Sequence, residues 1–61
     1  MENFEFTKEK IAALDNTKRR ELFEDWRQRL GNEDVEVKIG NVIIRNREDL
    51  QAWQIENGYS F

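Results

Sequence analysis

The sequence predicts a small single α+β domain spanning residues 1–61, in the order α-α-β-β-α, with a two-stranded antiparallel hairpin packed on helices. Three observations predict it. Val35, Val37 and Ile39 alternate with Glu36 and Lys38, then Gly40-Asn41 interrupts before Val42-Ile43-Ile44, the pattern of two half-buried strands joined by a tight turn. Leu22, Phe23, Trp26 and Leu30 fall in one quadrant at 100° per residue, the stripe of a core-facing helix. Residues suited to helix ends, Thr7, Asn46 and Gly58, stand where the periodic segments begin or stop.

Taken in order, Phe4-Glu5-Phe6 is either an extended arm or a third strand on the hairpin edge. Thr7 is placed to cap a helix through Leu14, and Phe6 with Ile11 has the spacing of a hydrophobic staple, which fixes how the chain enters the helix. Asp15-Asn16-Thr17 favours a turn, because short polar side chains compete for backbone groups. The first helix therefore either stops there or continues, kinked, into a second helix over residues 17–30 that Gly31-Asn32 ends. Asp25 and Arg29, four apart, form a favourably oriented pair on it.

In the hairpin, Gly at the first central position suits a type II′ turn, since Gly takes a positive φ without strain. That register sets Ile39 against Val42, Val37 against Ile44 and Glu36 against Arg45. Val35, Val37, Ile39, Val42 and Ile44 then share the face the helices cover. Asn46 caps the last helix, Glu48 and Asp49 sit in its first turn where the helix dipole favours anions, and Leu50 with Trp53 gives a narrow stripe flanked by Ala52 and Ile55. Gly58 is placed for a left-handed end, letting Tyr59 fold back on Trp53.

Ten basic and thirteen acidic residues leave a net charge of −3, which argues against a generic nucleic-acid coat. Only the stretch 17–31 is positive, with five basic residues against three acidic ones. There is no Cys, Pro or His, so disulfides, thiolate metal sites and the commonest general base near neutral pH are excluded. Thr7, Thr17, Ser60, Tyr59 and the lysines remain as nucleophiles, none in a recognisable motif. The adjacent acids Glu33-Asp34 and Glu48-Asp49 diverge on a helix or strand and make no carboxylate dyad. No metal or other cofactor is expected, nor an enzyme. No apolar run reaches the ~18 residues of a membrane helix. Met1 opens the chain as in a complete small open reading frame, and the composition fits the cytoplasm.

Two resemblances add to this reading. Phe6-Thr7-Lys8-Glu9-Lys10-Ile11-Ala12-Ala13-Leu14 resembles the opening of the arm-binding domain at the N-terminus of some phage-type tyrosine recombinases, without the Pro that often follows that Leu. The helix-hairpin-helix order, with Asp49-Leu50 opening the last helix, resembles in topology the small phage head-completion proteins of the lambda type, although helix lengths differ. Both imply a phage or mobile-element origin.

The function these features point to is a non-catalytic protein-interaction or regulatory module that binds a partner protein or a second copy of itself. Its candidate partner-binding residues are Phe4, Ile43 and Phe61, the apolar side chains least accounted for by the core. No membrane and no small-molecule substrate is expected. One alternative is a DNA-binding accessory domain using the basic face of the second helix, Lys18, Arg19, Arg20, Arg27 and Arg29. Another is a small phage structural protein of the head-completion kind.

Overall fold

A computed structural model describes residues 2–59, the side chain of Glu2 excepted; Phe61, one of the candidate partner residues, lies outside them. The elements are β1 (Glu2–Phe6), α1 (Lys8–Ala13), α2 (Asn16–Asn32), β2 (Val35–Ile39), β3 (Val42–Ile44) and α3 (Arg47–Glu56). The strands form one mixed sheet in the order β1-β2-β3. Residues 3–6 are thus a strand and not a loose arm. β1 runs parallel to β2, with Phe4 beside Val37 and Phe6 beside Ile39. Parallel neighbours need a crossover, and here α1 and α2 supply it.

The hairpin has the expected register, with Val37 opposite Ile44 and Ile39 opposite Val42. Gly40 takes φ +59° while no non-glycine residue among the described ones has a positive φ, as a type II′ turn requires. Val35, Val37, Ile39 and Ile44 are buried. Val42 shares their side of the ribbon, yet it is 43% exposed because it sits on the short edge strand. Glu36 and Arg45 meet on the other side at 3.1 Å. The helices cover one face only, so the molecule is a two-layer α/β sandwich. Between the layers lie Ile11, Phe23, Trp26, Val37, Ile39, Ile44, Leu50 and Trp53, with Phe4, Phe6, Leu22, Leu30 and Tyr59 packed around them.

Helix ends follow local chemistry. Thr7 accepts a hydrogen bond from the Lys10 amide at 3.1 Å, Asp15 from Lys18 at 2.8 Å and Asn46 from Asp49 at 2.8 Å. The first two helices are separate: Leu14 is extended (φ −74°, ψ 149°), and Asp15 opens α2. α3 closes as expected. Gly58 has φ +80°, the Tyr59 amide donates to the Gln54 carbonyl at 2.7 Å and that of Gly58 to Ile55 at 3.2 Å, and Tyr59 stacks on Trp53 with ring centroids 5.8 Å apart. This is the doubly bonded left-handed terminus with its apolar contact.

Two expectations are corrected. Gly31-Asn32 does not stop α2, which continues through Asn32 to a cap at Glu33. Gly31 serves a different purpose: a Cβ there would overlap the Arg47 guanidinium, whose Nε donates to the Arg27 carbonyl at 3.0 Å. The bare Cα leaves room for the Arg47 side chain to lie against the last turns of α2. On α3, Ile55 is 59% exposed and Ala52 is exposed too, while Gln54 is the buried neighbour of Trp53. Leu50, Trp53 and Gln54 stand at i, i+3 and i+4, and Ile55 lies a further 100° round.

Gln54 is buried because its polar groups are satisfied. Its Oε1 accepts from Arg27 at 3.1 Å, and its Nε2 donates to the Tyr59 carbonyl at 3.1 Å. Gln54→Leu keeps the volume but strands that carbonyl, and should cost about 1–2 kcal/mol, read as a lower urea midpoint with unchanged m-value. An unaltered midpoint would show that the bridge between α2, α3 and the C-terminal turn adds no stability.

Candidate interaction surface

No described element covers the face of the sheet away from the helices. Alternation along the strands places Asn3 and Glu5 of β1, Glu36 and Lys38 of β2, and Ile43 with Arg45 at the end of β3 on that side. Glu5, Lys38 and Ile43 stand in one row across the three strands. Ile43 is 44% exposed and is the large apolar side chain in this charged field.

Phe4 is elsewhere. It lies on the inner face beside Val37, half-buried against the core, with the Arg29 guanidinium 5.5 Å from its ring centre. The structure therefore does not bring Phe4 and Ile43 into one patch: they occupy opposite faces and opposite edge strands. The remaining exposed large apolar groups among the described residues are Val42 and Ile55.

The two sheet edges differ. In a two-residue hairpin the flanking residues bond to each other, so the main-chain groups of Val42 and Ile44 face β2, and those of Ile43 and Arg45 face outward. The Arg45 amide points at the Asp49 carboxylate at 3.4 Å, which blunts this edge after a single open residue. On the other side, the Gly40 amide donates to the Phe6 carbonyl at 3.1 Å. Phe6 and Phe4 therefore turn their main-chain groups toward β2, and Asn3 and Glu5 turn theirs outward. The five-residue β1 is the longer open edge, with exposed side chains at both outward positions.

The five basic residues of α2 do not form one face. Arg19 is half-buried and fully engaged at the end of α1: Nε donates to the Ile11 carbonyl at 3.1 Å, Nη2 to the carbonyls of Ala12 and Leu14, and Nη1 to Asn16 at 2.9 Å. Its guanidinium also lies 4.9 Å from the Tyr59 ring centre. Arg27 turns toward α3, bonded to Gln54 and 3.7 Å from Glu24. Arg29 turns the other way, toward β1, and pairs with Asp25 at 3.0 Å. Lys18 and Arg20 are exposed. A hollow of about 440 Å³ on the outer side of α2 is lined by Arg20, Glu21, Glu24, Asp25 and Gln28, a mixed-charge surface on one helix. The role of Arg19 had a sequence signal: residues 19, 22, 23, 26 and 30 follow the core-facing helical spacing, so Arg19 occupies a stripe position that a count of basic residues overlooks.

Among the described residues no group of three or more His, Cys, Asp and Glu side chains is arranged to hold a metal ion, and no helix is long and apolar enough to cross a membrane. Compared with family models, curated proteins and solved structures, the chain matches none.

Proposed function

We propose that this chain is a non-catalytic interaction module that binds protein through the uncovered side of its sheet. The observation that supports it is the placement of Ile43, held 44% exposed on the edge strand β3, on the open face of the sheet, while the helices protect the opposite face. An exposed β-branched side chain amid charges offers an apolar anchor with a polar rim, the usual anatomy of a small interface. The dispersal of Arg19, Arg27 and Arg29 into contacts within the fold gives the DNA-binding alternative less support than a contiguous basic face would.

The test is affinity capture from lysate of the source cells with the wild-type chain and with Ile43→Glu. Glutamate at this position lies beside Lys38 and suits the outer face, so circular dichroism and melting should match the wild type. Retention of the specific partner should fall at least about tenfold, the loss of a buried anchor. Equal retention by both chains removes Ile43 from the interface. Conversion of a small molecule by the purified protein would overturn the non-catalytic reading.

A further inference from the structure

We propose that the β1 edge pairs with the β1 edge of a second copy of this chain, antiparallel, to give one continuous six-stranded sheet; the inference rests on the interaction-module reading and names one partner for it. The argument is one of register. Only Asn3 and Glu5 turn main-chain groups outward among the described side chains of β1, so a two-fold pairing must set these positions against each other. Centred on Phe4, it places Asn3 opposite the second copy's Glu5 and Glu5 opposite its Asn3. Both are hydrogen-bonded positions, giving four main-chain hydrogen bonds. Centring on Glu5 would set two carboxylates directly opposite and bring the Thr7 cap into the strand, and centring on Asn3 would leave Glu5 beyond the described strand. The central register alone pairs an amide with a carboxylate and avoids like charges.

The other side of the sheet agrees. Phe4 meets the second copy's Phe4 at the non-bonded position, where Cα atoms approach to about 4.5 Å, so a half-buried ring gains an aromatic neighbour. α2 packs over β2, and the two β2 strands would be three strand spacings apart, about 14 Å. Side chains from both helices can fill that gap. Arg29 and Asp25, already paired at 3.0 Å, stand on this flank of α2, and a two-fold axis allows each guanidinium to reach a carboxylate on either helix. The competing edge is poorer: β3 has three residues, and Asp49 covers its Arg45 amide. A second copy also satisfies the requirement that an exposed strand edge be paired or blunted, which β1 otherwise lacks. Five residues a side make a small interface of the weak class.

The experiment is sedimentation equilibrium of the full chain up to about 1 mM, a range chosen for weak association, with wild type, Glu5→Pro and Ile43→Glu. Proline at position 5 removes an outward amide without touching the β1–β2 ladder and is tolerated on an edge strand. Wild type and Ile43→Glu should dimerise alike, and Glu5→Pro at least about tenfold less tightly. Because the chain has no cysteine, mixing Asn3→Cys with Glu5→Cys under mild oxidation should also give a disulfide-linked heterodimer in preference to either homodimer. Wild type that stays monomeric, a dimer that survives Glu5→Pro in a folded chain, or homodimers formed as readily as the mixed pair would each overturn the proposal. A monomer that still retains a partner through Ile43 would leave the interaction-module reading standing.

Discussion

Trp26→Ala should leave little folded protein at 25 °C. Trp26 is 2% exposed and joins the two layers: its ring meets Phe6 of β1 edge-on at 5.0 Å and Phe23 of α2 at 5.8 Å. Large-to-small changes of this kind cost about 3–5 kcal/mol, more where the surroundings cannot collapse. Here they cannot, because Phe6 is fixed in the ladder and Phe23 is held between Trp26 and Trp53. A chain of this length has roughly 3–9 kcal/mol in total at about 0.05–0.15 kcal/mol per residue, so the loss is most of the available stability. The expected result is a collapsed near-ultraviolet circular dichroism signal and a broad urea transition. Trp53→Ala should cost less, since Tyr59 stacks on Trp53 from a half-buried position and is free to fill part of the space. If Trp26→Ala unfolds at the wild-type urea concentration, the account of the core is wrong.

Arg19→Met should destabilise the fold by about 2–3 kcal/mol, in the range for hydrogen bonds made by a charged group. The last carbonyls of a helix lack the amides that would follow in a longer one. Arg19 supplies donors to those of Ala12 and Leu14 and a second donor to that of Ile11, which already accepts from the Leu14 amide. Methionine fills the same core stripe but donates nothing. Arg19→Lys is the informative control. A single ammonium cannot spread over several acceptors as a planar guanidinium does, so lysine should recover less than half of the loss. Full recovery by lysine would mean that charge near Tyr59, and not the fork of donors, is what matters. Hydrogen exchange should show the amides of α1 opening first in both variants.

The same residue shows why the basic residues of α2 do not gather on one face. Lys18-Arg19-Arg20 reads as one patch along the chain, yet successive residues on a helix diverge by 100°. Arg19 points into the junction of α1, α2 and the C-terminal turn, while its neighbours face solvent. Arg27 and Arg29 are then drawn to opposite flanks by Gln54 and Phe4. Phe4 and Ile43 are separated for a related reason: once β1 docks parallel to β2, the Phe4 side chain is carried to the inner face, while Ile43 stays on the outer one.

What the residues alone determined is everything governed by near neighbours. The hairpin register follows from alternation and a glycine turn, and the helix starts at Thr7 and Asn46 follow from side chains reaching amides three residues on. The end at Gly58 likewise follows from a conformation only glycine takes cheaply. The tertiary structure decided what depends on partners distant in sequence: the parallel docking of β1, the continuation of α2 past Gly31 to meet Arg47, the burial of Gln54 against Arg27 and the division of the arginines. Each of these is settled by which polar group finds a counterpart when the two layers close, and that choice leaves no short-range pattern in the chain.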